Sequence, residues 1–313
     1  MRKLMSIATI GAVAVLALAA CSDPGSTPTP SEEGDTQSDV VVEEVEAFDP
    51  SVIEPVTDIA AMVPADTLVV ANTLTNGAST DYPPGEFLLP DGHTPTGYDV
   101  DIVKALAAVM GLEEGVTKTA EFPTIIPALG VKFDVGASSF TITPERLEQV
   151  NMVSYLEVGS AFGVAAGNPK EFTPDDPCGF TIGVQTGTFQ QEFIEQLSEG
   201  CVAEGKKGID VKPHDLQSDV TTKVIGGQYD ATFADAPVIG FATVQSDGGL
   251  EEIGDVIESA PQGIAIAKDN EQLTAAVQAA MQYLMDEGYL EEILSAYGAE
   301  GSALSQAVVN PEV

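Results

Sequence analysis

One arginine stands apart in this chain of 313 residues. Beyond residue 20, Arg146 is the only arginine, set against 49 acidic side chains. It lies in Thr143-Pro144-Glu145-Arg146, where Thr143 suits a helix N-cap and Pro144 the first helical position. The guanidinium then falls in a first turn, where the helix dipole disfavours a cation by roughly 0.3–1 kcal/mol. The same position suits carboxylate capture, because a planar fork of N–H donors stands beside free backbone amides. The alternative is a surface arginine paired with Glu145 or Glu148, and this segment alone leaves both open. Cys178 and Cys201 form an even pair, for which a structural disulfide is expected in an exported chain; two buried thiols are the alternative. No histidine nearby supplies either sulfur with a catalytic base, and no CxxC or histidine cluster suggests a metal. No cofactor is expected.

Export is read from the first residues. Arg2 and Lys3 precede an uncharged apolar run over 7–20, followed by Cys21, which reads as a secretory signal peptide over 1–20. The run is shorter than the roughly 20 residues of a membrane span. Leu18-Ala19-Ala20-Cys21 resembles the lipobox of bacterial lipoproteins, which implies lipidation of Cys21 and anchoring at the extracellular face of the cell membrane. Residues 21–56 are rich in Ser, Thr, Pro, Asp and Glu and read as a disordered tether. Without the leader, 10 basic residues face 49 acidic ones, a net charge of −39. That balance keeps the protein soluble and excludes a nucleic-acid partner, which needs a basic surface.

The elements that must position Arg146 alternate between strand and helix, which predicts an α/β architecture with mostly parallel sheets. A strand is expected over 67–71, then a helix carrying Val103, Leu106, Ala107 and Met110 on one face and stopped at Gly111. A short helix over 125–129, a strand over 133–138 and the helix opened by Thr143 follow. A second set comprises a strand over 181–185, a helix with Phe189, Phe193, Ile194 and Leu197 on one face, a strand over 229–234 and a helix over 237–244. A strand over 264–267 and helices over 273–285 and 289–297 end the chain.

The runs around Arg146 also carry a resemblance. Lys132-Phe133-Asp134-Val135-Gly136 and the segment from Ser138-Ser139-Phe140-Thr141 to Arg146 resemble the signature of the extracellular solute-binding proteins of family 3, which serve polar amino acids. Tyr82-Pro83-Pro84, Asp91-Gly92, Gly97-Tyr98-Asp99-Val100-Asp101, Phe122 with Ile125-Ile126-Pro127-Ala128-Leu129, Gln185-Thr186-Gly187-Thr188, Tyr229-Asp230-Ala231 and Ala234-Asp235 match in order and spacing. The resemblance implies a two-lobed, periplasmic-binding-protein-like clamshell of type II, each lobe a doubly wound sheet, joined by two hinge strands. Lobe 1 would comprise 57–158 and 262–313, and lobe 2 would comprise 159–261, with the ligand at the carboxyl ends of strands.

The resemblance also assigns roles. Arg146 would take the α-carboxylate of a free amino acid, helped by Thr141 and by Thr188, which could equally be only a helix cap. Asp235 would accept the α-ammonium, with Ser139; the alternative for Asp235 is a plain N-cap ahead of Pro237. Tyr82 and Phe122 would wall the ligand, core packing being the alternative for Phe122. Asp99, Asp101 and Asp230 read as structural. Asn76, Ser79, Asp81, Glu86, Glu157 and Gln262 are candidates to read the side chain. Two departures stand out: Gly85 replaces a common Phe and would open the pocket, and Phe189 replaces a common Thr. The function implied is that of a monomeric, non-enzymatic binding protein delivering an amino acid to an ABC permease and its ATPase. A cyclohexadienyl or arogenate dehydratase-like enzyme on the same scaffold is the alternative.

Overall fold

The structure, a computed structural model, describes residues 47–64 and 66–313. The leader, Cys21 and most of the tether lie outside these residues. In chain order the elements are α1 (Thr57–Ala60), β1 (Thr73–Ala78), β2 (Asp81–Tyr82), β3 (Glu86–Leu88), β4 (Pro95–Thr96), α2 (Tyr98–Val109), β5 (Glu114–Thr119), α3 (Phe122–Ala128), β6 (Val135–Gly136), α4 (Pro144–Gln149) and β7 (Val150–Ala165). There follow β8 (Thr181–Gln185), α5 (Phe189–Ala203), β9 (Asp210–His214), α6 (Gln217–Ile225), β10 (Ala231–Asp235), α7 (Ala236–Gln245), β11 (Leu250–Ala267), α8 (Glu271–Asp286) and α9 (Tyr289–Ala296). No helix among the described residues is long and apolar enough to cross a membrane.

Eight strands form one mixed sheet in the order β5-β1-β6-β11-β7-β10-β8-β9, and β2-β3-β4 form a small separate sheet. The flanks are parallel: β1 with β5 and β6, and β8 with β9 and β10. Between them the two longest strands, β7 and β11, run antiparallel from Ala165 opposite Leu250 to Val150 opposite Ala267. At 16 and 18 residues each extends roughly 50 Å, long enough to run through both flanks. Their register breaks between Ile253 and Ile257, between Ile257 and Ala260, and between Gln262 and Gly263. Bulges of this kind bend and twist a strand.

Separate cores pack on the flanks. Tyr98, Ile102, Leu106, Met281, Leu284 and Ile293, from α2, α8 and α9, share one cluster with Leu74 and Val135. Phe162, Phe172, Ile182, Val184, Ile194 and Phe233 form another, around β8 and β10. Cys178 and Cys201 are joined in a disulfide whose Cα atoms lie 5.6 Å apart, at the edge of the second cluster.

Several sequence expectations shift. The sheet is mixed and not mostly parallel because β7 and β11 run antiparallel to their neighbours; the resemblance implied two hinge strands, but their length was not read, since β7 is buried on both faces and carries no alternating pattern to betray it. The first strand lies at Thr73–Ala78 and not over 67–71, which forms a turn closed by left-handed Asn72. Its polar look hides a buried strand whose polar groups are paired: Asn76 exchanges bonds with both backbone groups of Ala137, and Thr75 binds Asp134. The tether expectation runs too far at its end. Phe48 and Ile53 are buried, Asp49 caps a short turn of helix, and the Phe48 amide donates to Asp101 at 2.9 Å.

Candidate functional site

Thr143 caps α4 by accepting from the Arg146 amide at 3.3 Å, as its spacing predicts. The Arg146 side chain then turns inward. Nη1 donates to the Thr141 carbonyl at 2.6 Å and Nη2 to the Gly187 carbonyl at 3.1 Å. The rings of Phe122 and Phe140, stacked with centroids 4.5 Å apart, lie 5.5 and 5.3 Å from its Cζ. Among the described residues neither Glu145 nor Glu148 pairs with it. Burial presses its pKa down to about 10, opposed by the charges of Glu192 and Asp235, so the group stays cationic at neutral pH. A guanidinium has five N–H donors, so three remain for a ligand.

Asp235 ends β10 at the N-cap position of α7, yet its side chain makes no capping bond. Its carboxylate turns instead toward two buried amides: Gln190 Nε2 donates to Oδ1 at 2.7 Å and Gln262 Nε2 to Oδ2 at 2.9 Å. Its own amide donates to the Tyr82 hydroxyl at 3.1 Å. Burial pushes the Asp235 pKa up to about 7, against the hydrogen bonds of Tyr82, Gln262 and Gln190 and the charge of Arg146. An acid that titrates near neutrality inside a closed site is a frequent mark of function.

Arg146 and Asp235 line one narrow cavity of about 10 Å³, together with Tyr82, Phe122, Ser138, Ser139, Thr141, Gln185, Thr188, Phe189 and Gln190. All seven residues assigned to the ligand from sequence meet here. Two hydroxyls among them are already engaged. Thr188 caps α5, accepting from the Gln191 amide and donating to the Gln185 carbonyl. Ser139, at a positive φ of 49°, donates to Glu86 at 3.1 Å while its amide donates to Asp99.

Of the side-chain candidates, Asn76 is used up inside the sheet and Glu157 is exposed, accepting from Ser259. Ser79 receives the Gln185 amide at 3.0 Å, and Asp81 accepts from the Ser218 amide at 2.9 Å. Glu86 is fully buried behind the cavity wall, where Ser138 and Ser139 donate to it. Burial first, and then the charge of Asp99, raises its pKa far above the usual range. Gln262 does not line the cavity; its side-chain amide donates to Asp235. Gly85 does not open the pocket, since a Cβ there would lie 2.5 Å from Ser139 Oγ and 3.2 Å from the Tyr98 ring. Asp99, Asp101 and Asp230 bind backbone or tyrosine groups away from the cavity.

Gln190 had no place in the sequence reading, and Ser138 and Gln185 were seen only as parts of motifs. Gln190 left one trace: it shares the buried face of α5 with Ile194 and Cys201, where an amide has to find a partner.

Comparison with known proteins places these features. Residues 74–300 match the model of the bacterial extracellular solute-binding proteins, family 3. The arginine-binding protein ArgT of Corynebacterium glutamicum is 35% identical over 261 residues, covering 83% of this chain and 84% of that protein. A solved ancestral arginine-binding protein bound to arginine superposes with a TM-score of 0.66 at 29% identity, covering 72% of this chain and 98% of that one. The ancestral amino acid-binding protein AncCDT-1, a precursor of cyclohexadienyl dehydratase, gives a TM-score of 0.61 at 26% identity, over 72% and 95%.

Proposed function

The chain belongs to the bacterial extracellular solute-binding proteins of family 3, and on that footing we propose that it captures a free amino acid outside the cell and hands it to an ABC importer. One observation carries the reading: a buried guanidinium, Arg146, and a buried carboxylate, Asp235, line the same small cavity, whose walls include Tyr82 and Phe122. That is the complement of a zwitterion. Arg146 with the Thr141 and Gly187 segments takes the α-carboxylate, and Asp235 takes the α-ammonium.

We take residues 57–158 and 262–313 as one lobe and 159–261 as the other, with β7 and β11 crossing between them. Ligand bridging Arg146 and Asp235 then binds the closed form better than the open one and shifts the population toward it. Among the described residues, five contacts cross between the two parts around the cavity: Arg146 to Gly187, Gln185 to Ser79, Ser218 to Asp81, Asp235 to Tyr82 and Gln262 to Asp235. The closed form is the one recognised by a permease with its ATPase, and a lipid at Cys21 holds the monomeric protein at the membrane.

For the ligand we favour arginine or a similar cationic amino acid. The likeness to ArgT and to the ancestral arginine-binding protein supports this. So does a cavity lined, apart from Arg146, by acceptors and neutral groups, with Glu86 behind it. Titration calorimetry over the common amino acids tests the proposal; no binding by any of them overturns it. The dehydratase alternative has the likeness to AncCDT-1 in its favour, but a single arginine leaves the second carboxylate of a prephenate-like substrate without its own cation. Turnover of prephenate or arogenate, followed by ultraviolet absorbance, would establish it instead.

A further inference from the structure

Arg146 and Asp235 are brought to one cavity by different segments, and one residue touches both. Gln262 lies on β11, fully buried, beside a register break. Its backbone pairs with Thr141 as an isolated bridge. Its neighbours pin the same loop: the Ile142 amide donates to the Pro261 carbonyl and the Gly263 amide to the Phe140 carbonyl, both at 2.9 Å. The Thr141 carbonyl in that loop is the acceptor for Arg146 Nη1. The Gln262 side chain meanwhile donates to Asp235 Oδ2 at 2.9 Å. Its Oε1 is buried and has no donor among the described residues. Since an unmet buried acceptor opposes folding, an amide held this way points to a role other than packing.

We infer that Gln262 is a positioning residue: it aims the Asp235 carboxylate and fixes it against the loop that orients Arg146. The inference rests on the amino-acid-binding reading and adds a residue to it. The groups facing Asp235 are the Tyr82 hydroxyl, the Gln190 amide, the Arg146 guanidinium and, by charge, Glu86 and Tyr98. Of these, only Gln190 and Gln262 are neutral amides bonded to the carboxylate oxygens.

Removing the Gln262 donor raises the pH at which Asp235 ionises. Affinity for an ammonium, which needs the ionised acid, then reaches its plateau at higher pH. The test is titration calorimetry of L-arginine into wild type and Gln262→Met from pH 5.5 to 9, with Gln262→Leu as a second variant should the first fail to fold. Carboxyl carbon NMR of Asp235 in the ligand-free proteins gives a readout that needs no ligand. Expected are about tenfold weaker binding at pH 7, a deficit that narrows as pH rises, and an upward shift of the Asp235 titration. An equal loss at every pH together with an unmoved Asp235 titration marks Gln262 as mere packing and overturns the inference. Wild type that binds no amino acid sinks the ligand reading itself, a result distinct from a normal wild type with an unchanged variant.

Discussion

Replacing Arg146 by alanine isolates the chemistry on which ligand capture depends. The guanidinium is buried beside the stacked rings of Phe122 and Phe140 and spends two donors on the carbonyls of Thr141 and Gly187, leaving three for a carboxylate. Among the residues lining the cavity it is the one cation. Without it, the ligand carboxylate would be stripped of water and left with neutral donors only. Truncating one partner of such a desolvated pair costs about 2–5 kcal/mol, which corresponds to roughly 30-fold to several-thousand-fold in Kd. Arg146→Lys keeps the charge but loses the planar fork, so its loss should fall between wild type and alanine. The assay is titration calorimetry of L-arginine at pH 8, where Asp235 is ionised, with thermal melts to confirm folding. A folded Arg146→Ala protein that binds within threefold of wild type would refute the reasoning, because no other cation lines the cavity.

Three further outcomes follow from the same geometry. Burial lifts Asp235 to about 7 and Asp99 to about 6, both above their unfolded values. These groups therefore stabilise the ligand-free fold most below about pH 4 and lose that contribution as pH climbs through 6 and 7; urea unfolding from pH 5 to 8 should give a falling stability, and a steady rise would contradict it. The disulfide closes a separation of 23 residues, so Cys178→Ala with Cys201→Ala should lose roughly 3 kcal/mol in the chain-entropy model, read as a lower Tm. Gly85→Ala should cost about 1–3 kcal/mol by overpacking against Ser139 and Tyr98, whereas an unchanged Tm would mean that Ser139 swings aside freely.

The legible parts of this molecule were those whose signals are local. Thr143 and Pro144 announce the start of α4 because a cap and a fixed φ need nothing from the rest of the chain. The face of α5 was readable from its 3.6-residue spacing. Arg146 stood out because a lone arginine is rare in so acidic a chain. What stayed hidden depends on partners distant in sequence. β1 looks too polar to be a buried strand until Asp134 and Ala137, some 60 residues away, satisfy Thr75 and Asn76. β7 and β11 lack alternation because neighbours cover β7 on both faces. Gln190 carries no charge to attract notice, Gln262 stood out only as a side-chain candidate, and only the fold shows that both amides converge on one carboxylate.

The place where the N-terminal segment joins the body has a mechanical consequence. Phe48 and Ile53 dock on the cluster built by α2, α8 and α9, and the Phe48 amide is clamped to Asp101. These contacts fasten residues 48–53 to the flank of the sheet that carries α2, α8 and α9, and not to the flank of α5, α6 and α7.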